Sequence, residues 1–511
     1  MEIGCNYLDT FMLTQKQKLH LTSGFSLFLQ MFTIVYGFIL PRLFLEYYGS
    51  AVNGLVSSIA QFLGFVALAE CGVGAVVQSA LYKPLAQKDS IELSRIVTSA
   101  EHFFRNIAKL LLAYTAVLVF IFPNIISGNF DFLYTASLVI IIAISSFAQY
   151  YFGITYRLLL TSDQFGFVPI VVQIVALSLN LVACVVLMKA GCSVHIVKLT
   201  SSIVFLLQPL TISYVAHRWY KIDRTIKYDK SAIPQKWNGL AQHISYVVLQ
   251  SSGVVILTIL STLENVSVYA IYNLVVSGVR SLTMSVTNGM QAFLGNIFAK
   301  GDMVLFREKF EQFELRMHFV VSVIFSVTAV MIIPFVGVYT KGITDVNYIV
   351  PVFGIILTAA WGMYCVRLPY NLVVLAVGHY KQTQSSAIIE AVLNLLTAII
   401  LVLKFGLVGV AVGTLVAMIY RTCYLAWYIS SNVINRSLRP FVKHMFVDTV
   451  SVAVFVWTVH SVLGNSADIN TSTYLEWFIL AAKVLILALP TVGLVNVVFY
   501  WKKIMVIGKR N

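Results

Sequence analysis

Charged side chains are scarce in this chain. They make up 11% of its 511 residues, and Asp and Glu together number only 21, whereas hydrophobic residues account for 59%. A water-soluble domain of this length carries far more charge. The composition therefore excludes an ordinary soluble protein and indicates one that is buried in a membrane.

Patterns typical of catalytic and metal sites are also missing. The six cysteines, at positions 5, 71, 184, 192, 365 and 423, lie far apart and form neither a disulfide framework nor a zinc spacing. No phosphate-binding glycine loop or nucleophile constellation occurs, and the segment 70–74 is typical of close helix packing. We expect no enzyme activity, no cofactor and no metal.

Long apolar stretches dominate what is present. A helix needs about 20 apolar residues to cross the hydrocarbon layer, and the sequence has about fourteen such stretches. These predicted spans are residues 21–40, 52–77, 107–122, 132–154, 167–187, 196–215, 240–260, 268–293, 319–338, 349–374, 385–403, 405–428, 446–463 and 474–500. The odd-numbered loops between them are short, which leaves no room for an extracellular catalytic domain.

Most of the 35 Lys and Arg residues fall in the even-numbered loops and the two terminal segments. Because positive residues collect on the cytoplasmic side, this pattern predicts that both termini are cytoplasmic. The net charge of +14 then reflects topology, and we expect no binding to nucleic acid. The N-terminal segment shows no small-residue cleavage site, so we expect the first span to be retained.

The spans suggest an all-α polytopic protein with an internal repeat. Residues 1–216 form a predicted N-terminal six-helix lobe, residues 217–237 a basic cytoplasmic linker, and residues 238–430 a C-terminal six-helix lobe. Residues 431–511 supply two further spans and a basic cytoplasmic tail. Six spans per lobe return the chain to the same side, so the repeat is parallel.

Polar residues are costly inside a bilayer and normally face protein or water. In the eighth span such residues fall within roughly 100° of one another: Tyr269, Asn273, Ser277, Arg280, Thr287, Asn288 and Gln291. Similar stripes include Gln30 in the first span, Gln61 in the second and Gln242 in the seventh. Helix packing also explains stripes of this kind, but Arg280 near mid-membrane favours a wet cavity.

Further charges are predicted at membrane depth. Arg367 aligns with Tyr364 on one helix face, and Glu390 occupies a polar face of the next span. Arg421 fits either a functional role or snorkelling to the surface, and Lys483 fits a structural role. Glu70 lies off the stripe of its own span, so we expect it to pair within a lobe or to bind a coupling cation.

A cationic cavity favours an anionic substrate, because the guanidinium fork matches phosphate and carboxylate oxygens. Nearby Tyr, Asn, Gln and Trp side chains suit sugar hydroxyls. A lipid-linked, phosphate-bearing saccharide satisfies both requirements. An anionic drug, a nucleotide sugar and a phospholipid remain alternatives on these grounds.

The order of several motifs resembles the polysaccharide flippases of the multidrug/oligosaccharidyl-lipid/polysaccharide exporter superfamily, especially O-antigen and capsule repeat-unit flippases. The resemblance spans nearly the whole chain to about Arg439 and depends on motif order and spacing. The segments that carry it are 48–54 before the second span, 70–74 near its end, 81–85 after it, 266–272 opening the eighth span and 405–410 opening the twelfth.

This resemblance implies two six-helix bundles around a V-shaped central cavity and transport by alternating access. The implied substrate is an undecaprenyl-diphosphate-linked oligosaccharide in the bacterial inner membrane, handled together with other polysaccharide-assembly membrane proteins. The implied cavity residues are Arg280, Asn273, Ser277, Gln291, Gln30, Gln61, Gln242, Arg367 and Tyr364. Glu70 and Glu390 are the candidates for ion coupling.

Three alternatives stay open. A cation-coupled drug or metabolite antiporter of the same superfamily would concentrate carboxylates in one lobe and lack a cationic centre. A flippase for the lipid-linked peptidoglycan precursor shares every physical feature described above. A membrane glycan polymerase fits less well, because it would require a large outward loop.

Overall fold

The structure, a computed structural model, describes residues 14–70, 72–126, 130–226, 229, 240–287, 289–464 and 472–508. Side chains are described throughout these ranges except at 240, 241 and 502–508. The described residues contain helices and connecting turns and no strand. The chain forms two compact units, residues 1–247 and 248–511.

The first unit contains seven α-helices and the start of an eighth among its described residues. They are α1 (Gln15–Gly64), α2 (Val73–Gln87), α3 (Ser90–Ile125), α4 (Phe132–Ala148), α5 (Ile154–Ser162), α6 (Phe167–Lys189), α7 (Val194–Trp219) and α8 (Leu240–Leu260). A 3₁₀ segment, Phe65–Glu70, follows α1, and a π-helical turn, Gln149–Gly153, joins α4 to α5.

The second unit contains the remainder of α8 and nine further helices among its described residues. They are α9 (Leu263–Ser285), α10 (Met290–Ala299), α11 (Met303–Tyr339), α12 (Pro351–Val366), α13 (Leu368–Val377), α14 (Gln384–Phe405), α15 (Leu407–Asn432), α16 (Arg439–Leu463) and α17 (Tyr474–Gly508).

Side-chain caps define where several helices begin. Thr14 and Gln17 form a capping box at the start of α1. Asp89 accepts hydrogen bonds from the backbone N–H groups of Ile91 and Glu92 at the start of α3. Asp302 accepts one at 2.9 Å from Leu305 at the start of α11. These aspartates satisfy N–H groups that the first helical turn leaves unpaired.

The prediction of an all-helical, polytopic membrane protein is confirmed. Twelve helices in the described residues are long and apolar enough to cross a membrane. The predicted number is larger for two physical reasons. The first of the twelve, Gln15–Glu70, contains two predicted spans that meet at Gly49, where φ is +78°. The eighth predicted span begins in α9, and the polar residues of α9 make this helix too polar to be counted among the twelve.

Matching helices recur along the chain with similar lengths. The third and ninth spans lie in α3 and α11, of 36 and 37 residues. The fifth and eleventh lie in α6 and α14, of 23 and 22 residues, and the sixth and twelfth in α7 and α15, of 26 residues each. This agreement supports the parallel repeat inferred from the sequence.

Interruptions recur at matching places as well. The second span breaks before α2, where Gly72 has φ +72°, and the eighth breaks before α10, where Gly289 has φ +82°. The fourth contains the π-helical turn, and the tenth divides into α12 and α13 at Arg367. Each glycine adopts a left-handed conformation that other residues rarely occupy, which ends one helix and allows another to start.

Helices α16 and α17 pack on α11 through an apolar cluster that includes Val323, Phe455 and Val484. Of the described cysteines, Cys184 and Cys365 are buried, Cys192 is half-buried and Cys423 is exposed, and all four are free thiols. Cys5, Cys71 and residues 227, 228 and 230–237 of the predicted linker 217–237 lie outside the described residues. The division of the chain into the predicted lobes and linker stays a prediction.

Candidate functional site

Helix α9 carries the predicted polar stripe. Thr262 caps its N-terminus by accepting a hydrogen bond from the Asn265 backbone. Asn273, Ser277 and Arg280 are half-buried along the helix, whereas Gln291 is exposed on α10. Tyr269 and Thr287 are buried, and Asn288 lies outside the described residues. The stripe therefore passes from buried residues to an exposed glutamine.

A glycine on α12 sets how closely α9 approaches that helix. A Cβ atom added to Gly354 would lie 2.7 Å from Cε1 of Tyr272 on α9. Tyr272 cannot move away easily, because its hydroxyl donates to the Tyr348 carbonyl at 2.9 Å and accepts from the Val350 N–H at 3.0 Å. Its ring also packs against Phe353, with 5.0 Å between centroids. This close contact fixes α9 on α12.

The contact between α9 and α12 positions Arg280 against two aromatic rings. The Arg280 guanidinium carbon lies 4.5 Å from the Trp361 ring centroid and 5.7 Å from that of Tyr364. Both separations suit a cation–π interaction. The Nε and Nη1 atoms of Arg280 are buried and have no hydrogen-bond partner among the described residues. Two guanidinium donors of Arg280 are therefore left without a protein acceptor in the described part of the chain.

A buried ionic chain extends from Tyr364. The guanidinium of Arg367 lies 4.6 Å from the Tyr364 centroid and forms an ion pair with Glu390. On the other side of Glu390, Arg421 Nε lies 3.7 Å from the second carboxylate oxygen. Arg421 also donates to the Thr383 carbonyl at 2.9 Å and to the Ser386 hydroxyl. Arg421 is 3% exposed, so the snorkelling interpretation is wrong.

The cluster of Arg280, Arg367, Glu390 and Arg421, which we call the arginine cluster, holds three cations and one carboxylate, a formal charge of +2. Arg367 and Arg421 have Glu390 as a common counter-ion. No ion pair in the described part of the chain involves Arg280. An anion near Arg280 would reduce this unbalanced charge.

Two glycines on α15 allow the close approach that completes the arginine cluster. A Cβ atom at Gly413 would lie 2.6 Å from the backbone nitrogen of Ala398 on α14, and one at Gly409 would overlap the Leu401 carbonyl. Spaced four residues apart, they give the small-residue pattern that brings membrane helices together. This contact places Arg421 of α15 beside Glu390 of α14.

A polar contact joins α8 to the same pair of helices. The Ser252 hydroxyl donates to the Asn394 side-chain oxygen at 2.6 Å, and the Asn394 amide donates to Thr414 at 3.3 Å. All three residues are buried. The polar face predicted around Glu390 therefore provides hydrogen bonds between helices at this level.

The remaining predicted site residues lie in the first unit, away from the arginine cluster in sequence. Gln30 on α1 is exposed, while Gln61 on α1 and Gln242 on α8 are half-buried. Glu70 ends the 3₁₀ segment and accepts a hydrogen bond from the Tyr150 hydroxyl in the π-helical turn. Glu70 thus interacts with an uncharged partner, whereas Glu390 contacts two arginines.

A second buried ionic cluster was not predicted from the sequence. Glu314 on α11 is fully buried and binds the Arg436 guanidinium, with Nη1 at 2.7 Å from Oε2, while the Tyr370 hydroxyl donates to Glu314 at 2.6 Å. The predicted spans place residues 300–316 in the loop between the eighth and ninth spans, but α11 begins at Met303. Phe310, Phe313 and Met317 share the buried face and mark Glu314 as inward-facing.

Lys198 on α7 was also missed, although it lies inside a predicted span. Its ammonium nitrogen lies 4.2 Å from the centroid of Phe44. Lys483, in contrast, is exposed on α17. In the described part of the chain no group of three His, Cys, Asp or Glu residues forms a metal site.

No protein-family model and no curated protein matches this sequence. Solved structures do match its fold. A structure described as the lipid II flippase MurJ in an inward closed conformation superposes with a TM-score of 0.72 at 15% identity, covering 94% of this chain and 99% of that one. A multidrug resistance MATE family transporter of the MOP superfamily, in an inward-facing conformation, superposes with a TM-score of 0.56 at 14% identity. The match covers 78% of this chain and 95% of that one.

A third match is a MOP superfamily transporter from Pyrococcus furiosus, with a TM-score of 0.50 at 12% identity over 85% of this chain and all of that one. Sequence identities this low establish a fold and leave the substrate open. The chain therefore has the all-helical membrane fold that these flippase and transporter structures share.

Proposed function

We propose that this protein is a flippase that moves an undecaprenyl-diphosphate-linked oligosaccharide across the bacterial cytoplasmic membrane by alternating access. The oligosaccharide is a repeat unit of O-antigen, capsule or exopolysaccharide. In this proposal both termini are cytoplasmic, and other membrane proteins of polysaccharide assembly supply and receive the substrate.

The observation that carries the proposal is the unpaired Arg280. An arginine at membrane depth costs at least ~2.5 kcal/mol unless it meets water or an anion, yet two of its nitrogen atoms lack partners in the described residues. A diphosphate offers several oxygens to this guanidinium fork. Because the arginine cluster has a formal charge of +2, a substrate with two negative charges suits it better than a neutral one.

Neighbouring side chains suit the sugar part of the substrate. Trp361 and Tyr364 are buried and hold Arg280 against their rings, so the polar residues beside Arg280 are the better candidates for sugar contacts. Asn273 and Ser277 lie on the same helix as Arg280 and are half-buried. We propose that they bind sugar hydroxyls, with Gln291, Gln30, Gln61 and Gln242 contacting the substrate during passage.

Glu70 suits ion coupling better than Glu390. Glu390 is 3% exposed and neutralised by Arg367 and Arg421, so adding a proton there would leave two buried guanidinium groups unpaired. Glu70 has Tyr150 as its hydrogen-bond partner. We propose that a proton or a cation binds Glu70 during transport.

Two alternatives have specific support. The likeness to a lipid II flippase favours the lipid-linked peptidoglycan precursor as substrate. The likeness to multidrug transporters favours a cation-coupled drug or metabolite antiporter, although Glu390 is ion-paired with Arg367 and is not a free carboxylate for such a mechanism.

The test is deletion of the gene followed by analysis of lipid-linked oligosaccharide and surface polysaccharide. The flippase proposal predicts lipid-linked oligosaccharide trapped on the cytoplasmic face, no surface polysaccharide, and recovery with the wild-type gene. Normal polysaccharide with altered drug tolerance would favour the antiporter. Arrested cell-wall synthesis with trapped peptidoglycan precursor would favour the other flippase.

A further inference from the structure

A cavity of about 630 Å³ lies between the start of α16 and the end of α17. Its lining includes Arg439, Lys443 and His444 from α16 and Phe499, Tyr500 and Trp501 from α17. We call it the α16–α17 pocket. Its volume is within the range of small-molecule sites, roughly 300–1,000 Å³, and none of its residues belongs to the arginine cluster.

Two cations lie on one face of this pocket. Arg439 and Lys443 are four residues apart on α16, so their side chains project from the same side of the helix, and both are exposed. The Lys443 ammonium donates to the Phe499 carbonyl at 2.8 Å and lies 4.7 Å from the Tyr500 ring centroid. None of the ion pairs among the described side chains involves either cation.

The start of α16 adds further positive potential. Leu438 occupies the N-cap position and supplies no side-chain acceptor, and Pro440 follows in the first turn. The positive end of the helix dipole is therefore left without a side-chain cap beside Arg439. A bound anion would interact favourably with this helix end and with both cations.

Hydrogen bonding and ring stacking join the residues at the floor of the pocket. His444 is 2% exposed, and its Nδ1 atom is hydrogen-bonded to the Tyr500 hydroxyl at 2.6 Å. The His444 ring stacks on His318 of α11, with 4.8 Å between centroids. The hydrogen bond between Tyr500 and His444 thus joins the C-terminal part of α17 to the start of α16.

The surroundings of the pocket are those of a membrane interface. Trp501, Val498 and Phe446 are large exposed apolar residues near the pocket, on helices that are long and apolar enough to span a bilayer. Tryptophan and tyrosine concentrate at the level of lipid headgroups. Lys502 and Lys503 follow Trp501 in the sequence. Cations, interfacial aromatics and exposed apolar helix surface therefore occur side by side.

We propose that the α16–α17 pocket binds the headgroup of an anionic glycerophospholipid from the surrounding membrane. Arg439 and Lys443 contact the phosphate oxygens, Trp501 and Tyr500 border the glycerol region, and the acyl chains lie along the exposed apolar surfaces of α16 and α17. Two cations without carboxylate partners favour a lipid with net negative charge over a zwitterionic one. This site is independent of the proposed transport function.

The experiment titrates the purified full-length protein in detergent with dioleoyl phosphatidylglycerol and, separately, with dioleoyl phosphatidylcholine, and counts bound lipids by native mass spectrometry. We expect one site that prefers phosphatidylglycerol by roughly 30-fold. This factor corresponds to about 1 kcal/mol of electrostatic attraction for each of the two cations. The Arg439→Gln/Lys443→Gln variant should lose this preference, whereas Arg439→Lys/Lys443→Arg should keep it.

The matched control is Lys300→Gln/Arg316→Gln, which removes the same charge from exposed residues outside the pocket and should leave the preference intact. Equal binding of the two lipids, or an unchanged preference in Arg439→Gln/Lys443→Gln, would overturn the proposal. Complete displacement of phosphatidylglycerol by inorganic phosphate would also overturn it, because the pocket would then be a site for free anions.

Discussion

Arg280 lies over the face of Trp361, with 4.5 Å between the guanidinium carbon and the ring centroid. Trp361 is 2% exposed, and its indole nitrogen has no hydrogen-bond partner among the described residues. The ring therefore contributes a π face to Arg280 and no hydrogen-bond acceptor for its unpaired guanidinium nitrogens. This arrangement connects the packing of α9 on α12 to the proposed contact with the substrate.

Replacing Trp361 tests this contact. Trp361→Leu should slow transport by roughly fivefold to thirtyfold, because a desolvated cation–π contact contributes about 1–2 kcal/mol, while Trp361→Phe should have a smaller effect. The measurement is the transport rate of each variant in the wild-type and Arg280→Gln backgrounds. Without the guanidinium, Trp361→Phe should have no further effect, and equal losses in both backgrounds would contradict a direct interaction.

Replacing Glu390 tests the ionic chain. Glu390→Gln should lower the free energy of unfolding by about 3–5 kcal/mol, because it leaves Arg367 and Arg421 buried without a counter-ion. The double variant Arg367→Gln/Glu390→Gln should recover part of this loss, as measured by thermal unfolding in detergent. If Glu390→Gln unfolded like the wild type but removed the ion dependence of transport, Glu390 would be the coupling site instead of Glu70.

Helix packing at Gly413 permits a matched comparison. Gly413→Ala should destabilise the protein by about 1–3 kcal/mol, because the new methyl group would meet the backbone of Ala398 at 2.6–2.8 Å. Gly493→Ala on α17 adds the same group where no atom lies within 4 Å and should be neutral or mildly stabilising. Equal unfolding temperatures for the two variants would show that α14 and α15 do not require this close contact.

Two aspartates outside the spans should respond to pH in opposite directions. Burial raises the pKa of Asp163, whose carboxylate accepts a 2.6 Å hydrogen bond from Tyr220. Hydrogen bonds from the backbone and side chain of Thr225 lower the pKa of Asp223. Protonating Asp163 therefore stabilises the fold as the pH falls through its folded pKa, whereas protonating Asp223 removes stability as the pH falls through its own.

The variants Asp163→Asn and Asp223→Asn isolate these effects. Unfolding temperatures measured from about pH 7 to about pH 3, across the usual range for carboxyl groups, should show that Asp163→Asn removes a contribution that grows on acidification. Asp223→Asn should remove a contribution to stability that shrinks on acidification. If acidification changed the effect of both substitutions on the unfolding temperature in the same direction, the opposite pKa shifts of Asp163 and Asp223 would be contradicted.

Much of this architecture follows from the sequence because a membrane limits the possible structures. Spanning helices need long apolar segments, so every predicted span coincides with one or more helices. The alignment of Arg280 with Asn273 and Ser277 follows from helical periodicity. Periodicity shows which residues share a face but not which helix that face meets. For this reason the pairing of Glu390 with Arg367 and Arg421 could not be predicted.

The buried pair of Glu314 and Arg436 illustrates a second limit. Its members lie 122 residues apart, in segments whose charge suggested solvent-exposed loops. Membrane hydropathy does not distinguish a charged loop from a charged helix that continues beyond the bilayer into a packed region. The apolar residues at helical spacing around Glu314 were the local evidence for burial, and the partner became evident only from the fold.

The most direct test of the proposed function is the rate at which reconstituted vesicles translocate a fluorescent undecaprenyl-diphosphate oligosaccharide. Arg280→Ala should lower this rate by roughly 10-fold to 100-fold, the value of a charge-assisted hydrogen bond, whereas Arg280→Lys should retain a larger share. Lys483→Ala, which removes an exposed cation from α17, should match the wild type. Full transport by Arg280→Ala together with its loss in Arg280→Lys would contradict the role assigned to this charge.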